Sequence, residues 1–170
     1  MEPNVMRPPQ YSLNDLIAAL PARVGTMVEI GCYQGESTEE FAKSGKFDLI
    51  YAVDIWSNEV YDPNDQATLH CDMAIVEAAF NARMAKYSTV FKIKKSSVEA
   101  SEILPCVDMV YLDGNHTFEA VSQDIAVWRG KTKILAGHDY GTHPGVKKAV
   151  DLVFGKPDAV FKDFSWVVYL

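Results

Sequence analysis

The stretch Val28-Glu29-Ile30-Gly31-Cys32-Tyr33-Gln34-Gly35 decides how the chain folds. Its apolar start, from Met27 to Ile30, reads as a short buried strand. Gly31 lets the backbone turn sharply where that strand stops. Gly35 stands four residues further on and removes side-chain bulk where backbone and ligand would approach. A helix is expected over Ser37 to Ser44, and its first turn offers N–H groups without intrahelical partners. Strand, glycine loop and helix in this order form the opening unit of a nucleoside-binding α/β fold. The spacing is not the GxGxxG of dinucleotide sites. Glu29 precedes Gly31 by two places. A carboxylate there is awkward beside a pyrophosphate, but it suits a ligand that carries a cationic amine.

Outward from this loop, strands and helices alternate. A helix is expected from Ser12 to Leu20, with Ser12 as its N-cap and Pro21 after its end. Leu49 to Val53 reads as the second strand, closed by Asp54. Asp72 to Lys86 is helical, with Met73, Val76 and Phe80 on one side. Val90 to Ile93 is the third strand, Val98 to Ile103 a short helix, and Val107 to Leu112 the fourth strand, closed by Asp113. Phe118, Val121, Ile125 and Trp128 set a helix over Thr117 to Arg129, with Gly130 as its cap. Lys133 to Ala136 is the fifth strand, followed by Gly137-His138-Asp139. Val146, Ala149, Val150, Val153 and Phe154 mark a last helix, stopped by Gly155 and Pro157. Ala159 to Phe161 and Trp166 to Leu170 are β-rich and too close for a crossover helix, so they form an antiparallel hairpin. Near-continuous apolar strands between helices imply a mostly parallel sheet covered on both faces. The expectation is a Rossmann-like three-layer sandwich with seven strands, ending in that hairpin. The stretch Trp56 to Cys71 has weak periodicity and belongs to the ligand-binding edge of the sheet.

Composition sets bounds on the reading. The 170 residues fit one domain over 1–170, with the Pro-rich start (1–11) expected to be poorly ordered. Hydrophobic residues make up 48% and charged residues 23%, the balance of a globular protein. The net charge of -7 repels phosphate backbones and argues against a nucleic-acid partner. No stretch is apolar enough to span a bilayer, and Met1-Glu2-Pro3-Asn4 lacks the order of a secretory signal, so no membrane partner is expected. Cys32, Cys71 and Cys106 contain no CxxC pair and read as free thiols of a cytoplasmic protein.

The chemistry-bearing residues fall at strand ends. Asp54 lies some twenty residues past the glycine loop, where an acid bonds ribose hydroxyls. Ser96 and Ser97 follow the third strand, within reach of an adenine edge. Together they describe an adenosine with an amino-acid tail. Asp113 and Asp139 end successive strands, and two such oxygens suit a hard cation, Mg²⁺ first. Tyr140, next to Asp139, is a poor Mg²⁺ ligand; His116, His138 or a water would fill the gap. Asp113 reads equally as a cap of the following helix. A base of near-neutral pKa is needed to deprotonate a hydroxyl, and His116 is the first candidate, His138 the second. His143 and His70 read as surface residues. Trp56 walls either the adenosine pocket or the acceptor site, Trp128 packs its helix on the sheet, and Lys147 and Lys148 read as a solvated face.

Val28-Glu29-Ile30-Gly31, Ala52-Val53-Asp54-Ile55-Trp56, Tyr111-Leu112-Asp113-Gly114-Asn115-His116, Asp124-Ile125-Ala126-Val127-Trp128 and Gly137-His138-Asp139-Tyr140, with Pro144-Gly145-Val146 after them, resemble class I S-adenosylmethionine-dependent methyltransferases. The subgroup is similar to the small O-methyltransferases of methyltransferase family 24, whose relatives act on sugars of antibiotics and surface glycans. The resemblance runs from about Val28 to the C-terminus. It implies that Glu29, Gly31, Tyr33 and Gly35 hold the methionine end and ribose side of S-adenosylmethionine, that Asp54 and Ile55 hold the ribose, and that Ser96 or Ser97 contacts adenine. Asp113 would close the site beneath the transferred methyl, with His116, Asp113 and His138 as catalytic residues. Metal-dependent catechol-type members hold Mg²⁺ on acids like Asp113 and Asp139. The implied activity is O-methylation of a small hydroxylated acceptor. The alternatives are a cofactor-binding accessory protein without methyl transfer and, disfavoured by the loop spacing, a nicotinamide-dependent oxidoreductase.

Overall fold

The computed structural model describes residues 13–58 and 70–170. The strands are β1 (Gly25–Ile30), β2 (Phe47–Asp54), β3 (Val90–Lys94), β4 (Met109–Leu112), β5 (Ile134–Gly137), β6 (Ala159–Val160) and β7 (Trp166–Tyr169). The helices are α1 (Asn14–Ala19), α2 (Glu36–Lys43), α3 (Met73–Met84), α4 (Ser97–Ile103), α5 (Phe118–Trp128) and α6 (Pro144–Phe154). One seven-stranded sheet has the order β3-β2-β1-β4-β5-β7-β6. Strands β1 to β5 pair parallel, while β7 runs antiparallel to both β5 and β6, as the expected hairpin requires. No helix among the described residues is long and apolar enough to cross a membrane.

Strand alternation divides the core. Val28 and Ile30 point to one face, where Ala100, Val121, Ile125, Trp128 and Val150 of α4, α5 and α6 cover them. Met27 points to the other face, under Leu16 of α1 and Phe41 of α2. A third cluster joins Cys32, Ala52 and Trp56 to Val76, Phe80 and Met84 of α3. The sheet is thus the middle of three layers. Its order reverses between β1 and β4, which opens the binding crevice of such folds at their carboxyl ends.

Several boundaries differ from the sequence reading. β1 begins at Gly25, where φ is +107° and an added Cβ would fall 2.6 Å from Asp108 Oδ2. That oxygen accepts from the Thr26 N–H at 3.0 Å and pins the strand start. β4 starts at Met109 because Val107 N–H is spent on Lys131 O, outside the ladder. Gly130 is not a left-handed cap: α5 ends on Arg129 in right-handed geometry. Gly155 does cap α6, with φ of 76°. The proposed Ser12 cap and most of the stretch between Trp56 and Cys71 lie outside the described residues. Asn58 joins the two ends of that stretch: its Nδ2 donates to Cys71 O at 2.7 Å, and its Oδ1 accepts from Met73 N–H at 3.1 Å.

Candidate active site

The glycine loop packs against its neighbours more tightly than a free ligand cradle. Gly31 has φ of +86°, and a Cβ there would lie 2.3 Å from the Asp113 carbonyl oxygen. The end of β1 therefore touches the end of β4 backbone to backbone. Gly35 is also left-handed, as the N-cap of α2. Its missing Cβ makes room for Phe80 at 3.0 Å and Met84 at 3.2 Å of α3. This corrects the sequence reading: Gly35 is needed for helix packing as well as for the turn.

Glu29 is turned into the protein. It shares the face of Met27, beneath α2, and is fully buried. Its carboxylate accepts from Ser37 Oγ and Thr38 Oγ1, each at 2.5 Å. Burial raises its pKa to about 7, and the two hydroxyl bonds offset only part of that rise. Glu29 thus fastens the first turn of α2 to the strand. Asp54 ties the loop down from the other side. One oxygen accepts from Tyr33 N–H and the other from Trp56 N–H, both at 2.9 Å. Burial raises the Asp54 pKa, opposed by these backbone donors. Each carboxylate oxygen keeps further acceptor capacity. Ile55 is half-buried beside it. Trp56 donates its indole N–H to Tyr33 O at 2.9 Å, meets the Phe80 ring at a tilt of 53° and lies under Lys92, so it backs the loop.

Ser96 and Ser97 are both committed within the protein. Ser96 forms a capping box with Glu99. Ser97 Oγ accepts from the Trp128 indole at 3.0 Å. Behind it Asp124 is buried, which raises its pKa to about 6 against the effect of a Ser97 bond.

The acceptor side is a cluster of imidazoles and carboxylates. β4 and β5 are adjacent, with Leu112 opposite Gly137, so Asp113 and His138-Asp139 emerge side by side as expected. Gly137 leaves room for the Trp166 ring, whose N–H donates to His138 O at 3.2 Å. Gly145 lets the first turn of α6 close on the His116 backbone, where a Cβ would meet His116 O at 2.4 Å. His116 Nε2 lies 3.0 Å from Asp139 Oδ2 and 3.6 Å from Asp113 Oδ1. His138 Nδ1 lies 3.1 Å from the same Asp139 oxygen and 3.9 Å from the same Asp113 oxygen. Asp139 is held at φ of +63°, a strained conformation for a side-chain-bearing residue. Its second oxygen accepts from Thr142 Oγ1 and lies 3.2 Å from His143 Nδ1.

One sequence expectation changes here. Asp113 is not the cap of α5, a role that Thr117 takes. His143 is exposed, as expected of a surface residue, and its ring also stacks on His116 with centroids 4.3 Å apart. His116 stands between two carboxylates. Burial lowers its pKa, but Asp113 and Asp139 more than reverse that and raise it to about 10. Asp139 is correspondingly held well below the carboxylate range, its desolvation outweighed by His116, His138 and Thr142. The cluster does not supply the all-oxygen set that Mg²⁺ favours. Tyr140 donates its hydroxyl to Asp151 of α6 at 2.7 Å, away from the cluster. Imidazole nitrogens occupy the positions where Mg²⁺ demands oxygens. Asp163 was not legible as part of this region; its Oδ2 lies 4.0 Å from His138 Nε2.

Comparison with known proteins accords with this geometry. A family profile described as Methyltransferase domain matches residues 28–140, from β1 to just past Asp139. Among curated proteins, none matches the chain. Solved structures with the same fold include M. capricolum TrmK in complex with S-adenosyl-homocysteine, at TM-score 0.58 and 12% identity over 91% of this chain and 65% of that one. Aeropyrum pernix fibrillarin with natively bound S-adenosyl-L-methionine follows at TM-score 0.56 and 14% identity, over 88% and 68% of the two chains. Precorrin 8w decarboxylase of Methanobacterium thermoautotrophicum is similar at TM-score 0.55 and 16% identity, over 79% and 65%. The chain spans about two thirds of the length of these structures. With the matched region covering the glycine loop, the Asp54 strand end and the Asp113–Asp139 crevice, the chain belongs to the methyltransferase domain family.

Proposed function

We propose that the chain transfers a methyl group from S-adenosylmethionine to a hydroxyl of a small acceptor, such as a sugar or natural product. One observation carries this reading: the Asp113 backbone abuts Gly31 of the glycine loop, while its side chain faces His116 and His138. Donor and acceptor ends therefore meet at one residue, the arrangement in-line transfer needs. On the donor side, the loop from Gly31 to Gly35 takes the methionine end. The remaining acceptor capacity of Asp54 takes the ribose hydroxyls, with Tyr33 and Ile55 flanking it. Adenine lies toward the start of α4, near Ser96 and Ser97. Glu29 acts through α2 and positions the loop.

On the acceptor side, the hydroxyl oxygen attacks the methyl carbon. The C–O bond forms, the S–CH₃ bond breaks, and the sulfonium becomes the thioether of S-adenosylhomocysteine. The proton of the hydroxyl must leave. Asp113, His116, His138 and Asp139 hold the acceptor oxygen, and we assign the proton to His143. Thr142 gives its hydroxyl proton to Asp139 and so accepts from His143 Nδ1 at 3.2 Å, which fixes that imidazole as the Nδ1–H tautomer. Its other nitrogen is then the acceptor. The acidic surface is consistent with a small molecule rather than nucleic acid.

A panel of sugars, phenols and catechols, assayed with methyl-labelled S-adenosylmethionine, tests this reading. Label transfer to a hydroxyl is expected, with His143→Ala losing turnover and keeping its affinity for S-adenosylhomocysteine. Cofactor binding without transfer to any hydroxyl would overturn it.

A further inference from the structure

We infer that Asp113, His116, His138 and Asp139 form a binding site for a divalent first-row transition ion of the zinc type, in place of the Mg²⁺ that the resemblance implies. Four donor atoms stand in a ring: Asp113 Oδ1, His116 Nε2, Asp139 Oδ2 and His138 Nδ1. Its successive edges are 3.6, 3.0, 3.1 and 3.9 Å. Ligands about 2.1 Å from an ion stand roughly 3.0 to 3.4 Å from one another. The ligand atoms of Asp113, His138 and Asp139 already lie within 4.8 Å of one another. A cation would draw His116 onto this set through Asp139, which His116 also approaches.

The direction of His116 supports the same conclusion. Its Nε2 is shielded from solvent and makes no hydrogen bond among the described residues, although a carboxylate oxygen is 3.0 Å away. That leaves the nitrogen available to a cation held between it and the carboxylates. The surroundings resemble an outer coordination shell. Asp139 keeps one oxygen in the ring because Thr142, itself in contact with His143 Nδ1, occupies the other. The second nitrogen of His138 faces Asp163, which is itself fixed by the Ser165 N–H and hydroxyl. Two nitrogens and two oxygens select zinc-type ions over Mg²⁺, because imidazole is a borderline ligand. The two ring carboxylates balance the charge of a divalent ion. The inference rests on the proposed function only for placing this site at the acceptor end. With the ring occupied, His143 lies outside it and keeps its assigned role.

The test uses the full chain after chelation and dialysis. Zn²⁺, Co²⁺ and Mg²⁺ are titrated separately by calorimetry, and X-ray absorption is recorded on the Zn²⁺-loaded wild type. One equivalent of Zn²⁺ is expected, at least about 100-fold tighter than Mg²⁺. The absorption spectrum should show imidazole ligation, and Co²⁺ should give visible d–d bands that Zn²⁺ abolishes. His116→Gln and His138→Gln should each weaken Zn²⁺ about tenfold or more, while His70→Gln should not. Equal or tighter Mg²⁺ binding, oxygen-only ligation, no binding, or Zn²⁺ affinity unchanged in folded ring variants would overturn the inference. S-adenosylhomocysteine binding is measured on the same samples. Its presence beside a failed metal titration would leave the methyltransferase reading standing.

Discussion

At the scale of single residues, the two glycines of the loop carry different burdens. Gly31→Ala would place a methyl 2.3 Å from a backbone oxygen that cannot move without breaking the β1–β4 ladder. Left-handed strain alone costs about 1–2 kcal/mol, and the overlap adds to it, so a loss of roughly 3 kcal/mol is expected in denaturant unfolding. Gly35→Ala meets a phenylalanine ring at 3.0 Å instead. It should cost less, and Phe80→Leu should recover part of the loss. Equal costs for the two alanine variants would refute this distinction.

Glu29 carries a pH dependence of definite sign. Its folded pKa of about 7 lies above the ordinary 4.5. The folded state therefore holds the proton where the unfolded chain has released it. Stability from Glu29 is complete below about pH 4.5 and is lost as pH rises toward 7 and beyond, on the order of 3 kcal/mol in total. Glu29→Gln removes the ionisation. The stability of the variant relative to wild type should rise between pH 5 and 8; a flat difference would show that Glu29 is not buried as an acid.

At the scale of elements, helix starts are held by side chains that the sequence displays openly. Asp72 accepts from Ala74 N–H at 2.9 Å and starts α3. Asp72→Ala should cost about 1 kcal/mol in the urea midpoint. The capping box of Ser96 and Glu99 starts α4, and the Trp128 bond to Ser97 ties α4 to α5. Trp128→Phe should cost about 1 kcal/mol from that bond, plus a packing term. Hydrophobic spacing made these helices legible, with ends displaced by one or two residues. The cluster was legible only in part. Asp113, His116 and Asp139 stand at strand ends that the apolar runs mark. His143 is exposed, as its sequence position implies, but its contact with His116 was not legible, because it depends on the left-handed turn at Asp139. Glu29 was readable in principle. Strand alternation puts it beside Met27, under the helix that begins with Ser37 and Thr38, but the pull of a cationic ligand was the more obvious reading.

At the scale of the whole molecule, the sheet order turns a list of motifs into one crevice. β1 sits beside β4 because the chain crosses over after β3, and this brings Gly31 to Asp113 across 82 residues of sequence. The parallel strands and closing hairpin could be read from apolar runs and the short link at 162–165. Apart from the β4–β5 pair, which strands became neighbours could not, because long-range order depends on packing both faces at once. The loop's role as donor site is the central claim, and binding of S-adenosylhomocysteine to the full chain tests it most directly. The account predicts that S-adenosylhomocysteine raises the melting temperature and gives a saturable calorimetric isotherm, that Asp54→Ala weakens this binding at least about tenfold, and that NAD does neither. Stabilisation by NAD without a response to S-adenosylhomocysteine would contradict it.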